Sequence, residues 1–571
     1  MGNQSSRDQQ KGAESLLSTW TPKQQAQLKE QFTRLSRPTN EKQQQQTVPS
    51  ESAITTATIP VEILAQTLST INKPIQSELV DALAAYIVYT STNNNSSNNK
   101  KSSQASFQGF LKAAQNTIQH KNNFSALYTT YTFAYKKYQC SLETFVLWLV
   151  KSAIPFWFEG SGMVKSTDKI WSQQTDEDDT SSRRLMQYLI YREQKQKYRQ
   201  KKREQEEMAL WTDDADTTKE KDKAEANAWY DQATQSSHVI NEEIFKTWII
   251  DMPVVLILFQ LIAKVVFLGS LFSTTEDSTD DEDRDTQHQD RIEGILSPAI
   301  EKPSGKLFGK DEFSKLLTPY DYFMLTRSLP SNARSWSTYE QSQRKVQHDL
   351  EHKLIFSSRR DGTSWQIFVN RIVNQGATLL VIKAKDGSVF GGYTDEEWKP
   401  VTDWYGNSSN FLFRIRYPSD TKIDITQEDQ LVMDAWNGDL GSNSHYQYLC
   451  WGKQSLPNAL AMGGQFDYAG LWLDSDFSHG HSKAGPVCTT YQSPQLSLEE
   501  DFTVDQIEVF LMRPMIRDDD DMMENKGGVL SRTEDMEFME MAGKKLYSRD
   551  LQEPDLHDQE EENDEQDNNT K

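Results

Sequence analysis

Asp474, Asp476, His479, His481 and Cys488 fall within fifteen positions and are all of types that hold metal ions. Imidazole nitrogen, carboxylate oxygen and thiolate sulphur are the ligands of zinc. In an extended segment His479 and His481 share one strand face, which suits ligation. Ser478 and Gly480 favour a turn equally well, and a turn separates the two rings. Glu508 and Asp474 form a candidate carboxylate pair for acid–base work if the fold brings them together. Cys450 and Cys488 lack basic neighbours, Lys453 excepted, so both read as strand residues rather than redox centres. No nucleophile elbow, phosphate loop, dinucleotide fingerprint or His-Glu-x-x-His pair occurs, and Gly463-Gly464 is too short to cradle a phosphate. The expectation is a non-enzyme that uses no cofactor and no metal.

These residues sit in a region of strand patterns. In the run 411–417, Phe411, Phe413, Ile415 and Tyr417 alternate with Arg414 and Arg416, which predicts a strand with an apolar and a polar face. The β-branched run 378–385 closes at Asp386-Gly387 and resumes at Val389, which predicts a hairpin. Residues 507–511 predict a last strand. Many short strands with Gly- and Asn-rich turns predict an antiparallel β-sandwich with flanking helices over 311–515. A further helix is expected over 529–545, with Ser531 or Thr533 as N-cap and Gly543 as stop. Its Met536, Phe538, Met539 and Met541 form a broad apolar stripe. The acidic tail 546–571 has the composition of a disordered segment.

The N-terminal half is helical. Thr21 and Gln24 form a capping box, followed by a Leu28, Phe32, Leu35 stripe. Helices are expected around 61–68, 75–89, 107–118 and 125–138, and 142–158 looks buried. Paired helices suit an EF-hand-like domain over 16–274, with disordered insertions at about 92–104 and 174–236. No segment carries the Asp-rich loop that ends in Glu, so calcium is not expected. Within 187–208, Arg192-Glu193-Gln194-Lys195 and Lys201-Lys202-Arg203-Glu204 interleave opposite charges. This reads as a solvated helix or disordered arm rather than a contact for acidic lipid. The run 252–272 nearly reaches membrane-spanning length, but Pro253, Gln260 and Lys264 interrupt it. A lysine at a bilayer centre costs about 2.5–3.5 kcal/mol, so a core helix with Gln260 and Lys264 on an exposed stripe is the preferred reading over a transmembrane one. An acidic linker follows at 275–310.

Across 571 residues the net charge is −23 and the mean hydropathy −0.73, which implies two or three domains joined by solvated segments. That charge argues against nucleic acid and against adsorption of the whole chain on anionic lipid. Three cysteines, Cys140, Cys450 and Cys488, give no disulfide framework and suit a reducing compartment. With no apolar leader, the protein is expected to face the cytosol. Met1-Gly2-Asn3-Gln4-Ser5-Ser6 fits the N-myristoylation pattern at Gly2, so 1–15 reads as a disordered, acylated N-terminus. One myristoyl chain binds a membrane only marginally. A second contact is then needed, since only Arg7 and Lys11 lie nearby.

The C-terminal motifs resemble the TLDc family in order and spacing across 316–513. They are Leu354-Ile-Phe-Ser-Ser358, Asp361-Gly362-Thr-Ser364-Trp365, Val389-Phe390-Gly391-Gly392-Tyr393, Met462-Gly463-Gly464-Gln465, Gly470-Leu471-Trp472-Leu-Asp474, Cys488-Thr-Thr-Tyr491 and Ile507-Glu508-Val509. Ala469 and Phe510 depart from the usual pattern, both at packing positions. Within the family the likeness is strongest to its lysosomal, mTOR-associated branch and next to a fungal, telomere-capping-type branch. The resemblance implies that these motif residues are structural. It also implies a non-catalytic scaffold or regulator in the cytoplasm and on the cytoplasmic face of the lysosomal or vacuolar membrane. Its implied partners are V-ATPase subunits and TOR-pathway proteins, reached through the TLDc domain and the 529–545 helix. The alternative it implies is a role in oxidative-stress resistance.

Overall fold

The computed structural model describes residues 2–36, 54–55, 57–71, 75–92, 104–119, 123–160, 176–209, 228–229, 231–269, 314–330, 333, 352–415, 433–453, 456–483, 485 and 487–515. The expected helix at 529–545, with Met536, Phe538, Met539 and Met541, lies outside them, as do the linker 275–310 and the tail 546–571.

The first half is helical, and local sequence signals set its boundaries. α1 (Gly2–Leu17) replaces the disordered N-terminus expected over 1–15. It buries Ala13 and Leu17, and it lies so close to the following helices that a Cβ on Gly12 would meet Gln108 at 2.3 Å. α2 (Pro22–Leu35) opens on the predicted capping box, in which Gln24 N donates to Thr21 Oγ1 and Thr21 N to Gln24 Oε1. β1 (Thr58–Pro60) leads into α3 (Val61–Ile71). After α4 (Ser77–Thr92), β2 (Gln104–Ser106) leads into α5 (Phe107–Ile118) in the same way. β1 and β2 pair antiparallel, Thr58 against Ser106, which joins the loops of two helix–loop–helix units.

α6 (Asn123–Tyr138) and α7 (Leu142–Gly160) follow, then α8 (Asp176–Ala209), a helix in place of disorder over that part of the insertion expected at 174–236 and in line with the helix alternative for 187–208; residues 210–227 lie outside the described ones. The charged run hid an apolar start: Leu185, Met186, Tyr188, Leu189, Ile190 and Tyr191 are all buried. The Trp229 and Trp248 indoles donate to the Ile190 and Leu189 carbonyls at 3.1 Å each. α9 (Glu242–Asp251) turns into α10 (Val254–Leu268) at 96°. α10 packs on α7, α2, α5 and α6, as a core helix should. Among the described residues no single helix is long and apolar enough to cross a membrane, although the bent α9–α10 pair passes that test together. The exposed stripe is corrected: Gln260 is 2% exposed and Lys264 half-buried.

α11 (Pro319–Ser328) introduces the strands. β3 (Lys353–Ser357), α12 (Ser358–Asp361) and α13 (Trp365–Ile372) precede β4 (Gly376–Ala384) and β5 (Val389–Thr394), the predicted hairpin. β6 (Phe411–Ile415) and β7 (Met433–Asn437) complete a first antiparallel sheet, ordered β7-β6-β5-β4-β12-β3. β8 (Tyr448–Cys450), β9 (Ala459–Gln465), β10 (Tyr468–Asp474) and β11 (His479–His481) form a second. β12 (Asp501–Pro514) belongs to both: Asp501–Thr503 pair with β11, and Val504 onward with β4.

The sheets face one another as expected for a sandwich. Leu380, Ile382, Phe390 and Leu412 meet Leu449, Leu460, Met462, Leu471 and Leu473 in one core. The opposite face of the first sheet is apolar too. Leu379, Val381, Phe411, Phe413, Ile415 and Phe510 share a core with the helices. A strand buried on both faces loses its polar alternation, which corrects the exposed polar face expected of β6. Arg414 does point away from Phe413, but it is 1% exposed, donating Nη1–H to the Gln495 carbonyl at 2.6 Å.

Candidate functional site

The signature residues hold the two sheets and their corners. Asp361 accepts the Ser357 amide at 3.0 Å and pairs with Arg360 at 2.7 Å, and these contacts hold its carboxyl below the usual range. Gly362 takes φ +84° and Ser364 is the N-cap of α13. Phe390 fills the sandwich core, while Gly391 and Gly392 let neighbours approach closely. A Cβ on Gly391 would lie 1.9 Å from the Leu380 carbonyl oxygen, and one on Gly392 would lie 2.4 Å from Met462 Sδ. Gly463 and Gly464 have φ of +74° and +82° at the β9 end, where Gly463 touches Tyr491 and Cys488. Gly470 also abuts the Cys488 thiol, Leu471 points into the core, and Trp472, buried on the opposite face beside Tyr448 and Ala461, donates Nε1–H to Asp474 Oδ1 at 2.8 Å.

The metal reading dissolves on this geometry. The segment is a strand, so His479 and His481 do flank Gly480. His479 Nδ1 sits 2.6 Å from Asp476 Oδ2, whereas His481 stacks on Trp472 at 5.4 Å. Asp474 serves the Trp472 indole, and Cys488 is buried, which pushes its thiol pKa up. Among the described residues no group of three His, Cys, Asp or Glu could hold a metal ion. The carboxylate pair is not formed either. Glu508 accepts from Ser314 Oγ and, at 3.0 Å, from Lys315 N, and burial raises its carboxyl.

The polar cluster that the sequence reading missed lies at the seam between helices and sheet. Arg184 of α8 donates to Asp321 Oδ2 at 3.1 Å, with both side chains 4% exposed or less. Asp321 also accepts the Thr318 amide and hydroxyl, closing a capping box at the start of α11. Thr318-Pro319 followed by Asp321 was the readable signal. Nearby, Asp434 of β7 acts electrostatically on Tyr188 and Arg192 of α8. His352 bonds Tyr322 through Nδ1 and the Ala333 carbonyl through Nε2, and its burial lowers its pKa to about 4. Glu508 grips the segment before α11, and Trp157 of α7 meets Phe323 edge-on. α11 is thus held by the helices on one side and by the strands on the other. This arrangement joins the helical and stranded modules through buried polar contacts.

Residues 310–513 match the TLDc domain. Over 220 residues, 38% of this chain, the sequence is 40% identical to the MTOR-associated protein MEAK7 of Gallus gallus, covering 43% of that protein. Its Homo sapiens counterpart is 41% identical over 157 residues, 28% of this chain and 31% of that one. Oxidation resistance protein 1 of Bos taurus is 26% identical over 201 residues, 35% of this chain and 19% of that one. The match spans less than half the length of each of these relatives.

Proposed function

We propose that this chain, which carries a TLDc domain over residues 310–513, is a non-enzymatic regulator linked to TOR signalling. The observation that carries this reading is the 40% identity over 220 residues to a protein named for its association with mTOR. The structural roles of the signature residues support a binding rather than a catalytic part.

The finer reading places the protein on the cytoplasmic face of the lysosomal or vacuolar membrane. There the TLDc domain and the 529–545 helix contact V-ATPase, and a myristoyl group on Gly2 adds weak membrane affinity. Two weak tethers on one body raise each other's effective concentration. The β1–β2 pairing between two helix–loop–helix units supports reading the helical half as an EF-hand-like scaffold that works without calcium. Affinity capture from vacuolar membranes tests the proposal, using the intact chain, a Gly2→Ala variant and a chain cut before Ser531. Recovery of pump subunits by the intact chain, reduced in both variants, is expected. Absence of pump subunits from all three captures refutes it.

The likeness to Oxidation resistance protein 1 favours a second reading, protection from oxidants. The buried Cys140, Cys450 and Cys488 offer that reading no accessible thiol.

A further inference from the structure

Charge is divided unevenly along the chain. Residues 1–160 hold fifteen Lys and Arg against ten Asp and Glu, a net charge of +5, which leaves −28 for the remainder. Such asymmetry points to an anionic partner for the basic part, a membrane or a nucleic acid. The basic part is also the one that opens with the acylation pattern at Gly2, which favours the membrane.

One face of this half carries aromatic rings at its surface. Tyr89 of α4 is 43% exposed and meets the partly buried Phe133 of α6 edge-on at 5.8 Å. Tyr138, at the end of α6, is 36% exposed and meets the partly buried Trp148 of α7 in the same way at 5.8 Å. Two exposed lysines link the ring pairs: Lys136 lies over Phe133 at 5.7 Å and Lys137 over Tyr138 at 5.3 Å. The charges nearby are few. α6 has no acidic residue, and α4 has Glu78 and Asp81. Asp81 is taken by Lys137, at 2.6 Å, and by the Tyr138 hydroxyl. On α7, Glu143 accepts from the Tyr191 hydroxyl, and Lys151 pairs with Asp179 of α8. Lys136 is therefore the charge this face offers, with Lys137 half-neutralised beside it. The face is mainly aromatic and mildly cationic.

Its position suits joint action with the acylated end. α1, which begins at Gly2, lies against Gln108 of α5, and the next residue, Gly109, lies against Ser91, two positions beyond Tyr89. Tyrosine and tryptophan favour the membrane–water boundary, where the ring sits among headgroups. Lysine stems lie along apolar surface while the ammonium reaches for phosphate. Stable anchoring takes two signals, of which one acyl chain is only the first.

We propose that the face of α4, α6 and α7 bearing Tyr89, Phe133, Lys136, Tyr138 and Trp148 rests on an anionic lipid bilayer and is a second membrane contact beside the acyl chain. This rests on the membrane location proposed above, and it adds the surface and the lipid charge.

The test must not depend on acylation. The full chain is tethered by an N-terminal hexahistidine tag to phosphatidylcholine vesicles carrying a nickel-chelating lipid, with or without phosphatidylserine. An environment-sensitive fluorophore is placed at Thr92→Cys, one turn from Tyr89, or at Tyr468→Cys in the TLDc domain, which is 65% exposed. The native cysteines are buried and stay unlabelled. A blue shift at position 92 and none at 468, larger with phosphatidylserine, is expected. The double variant Tyr89→Ser, Lys136→Glu, at two exposed positions, should abolish the shift and keep the melting temperature. In the myristoylated chain the same variant should lower vesicle partitioning about tenfold. Should Gly2 accept no acyl chain, the tethered measurement still decides, so failure of the acylation reading and failure of this one are distinct. No shift at position 92, equal shifts at both positions, a shift indifferent to phosphatidylserine or to the double variant, or retention by an oligonucleotide and not by vesicles overturns the proposal.

Discussion

Replacing Asp321 with asparagine keeps volume and capping ability but removes the charge that meets Arg184. Both side chains are at most 4% exposed, so water cannot screen or replace the lost partner. Removing one member of a buried pair typically costs about 3–5 kcal/mol, because the other charge stays buried and uncompensated. Two features place Asp321→Asn near the lower end. Arg184 keeps its bond to Ser181 Oγ at 2.6 Å, and the asparagine oxygen can still accept the Thr318 amide. The expected loss is therefore about 3 kcal/mol. Arg184→Met alone should cost a similar amount by stranding the carboxylate. The double variant should recover most of either loss, since apolar replacement of a whole buried pair is often neutral. Equilibrium urea unfolding of the four proteins closes the cycle. Limited proteolysis should show earlier cleavage around α11 in the single variants only. Single losses below about 1 kcal/mol, or a double loss equal to the sum of the singles, would show that the pair is not buried and coupled as described.

Other consequences are equally open to measurement. His352 has its pKa lowered to about 4 from the ordinary 6.5, so an opened chain takes up the proton first as pH falls. Stability should therefore drop between pH 6.5 and 4, by up to about 3 kcal/mol from this group, and His352→Gln should flatten that part of the curve. Gly391→Ala places a methyl against the Leu380 carbonyl in the next strand and should destabilise by about 3 kcal/mol in a thermal melt. Gly362→Ala meets no atom within 4 Å but inherits φ +84°, so it should cost only about 1–2 kcal/mol. Chelators should leave the melting temperature unchanged, because no three His, Cys, Asp or Glu among the described residues converge on a point that could hold a metal ion. A thiol reagent should react with Cys140, Cys450 and Cys488 only as fast as the protein opens.

Much of this was legible from residue order. The Thr21 box, the 378–394 hairpin and the last strand are local signals, and the structure places them as read. The pairing across the seam was not legible, because Arg184 and Asp321 are 137 positions apart; only the capping box of Thr318 and Asp321 is a local signal. The same limit hid α8, whose average polarity conceals Leu185–Tyr191, and the burial of Arg414, which depends on the Gln495 carbonyl 81 positions away and on the Trp436 ring. His479 and His481 show the converse. Their spacing was suggestive, but Trp472 and Asp476 take up the two rings.

The most direct test of the proposed role is reconstitution of purified V-ATPase with the purified full chain, followed by size-exclusion chromatography and ATP-hydrolysis assays. The account predicts a stoichiometric complex and a hydrolysis rate changed by the bound chain. A pump that elutes without the chain and hydrolyses ATP at its unaltered rate would contradict it.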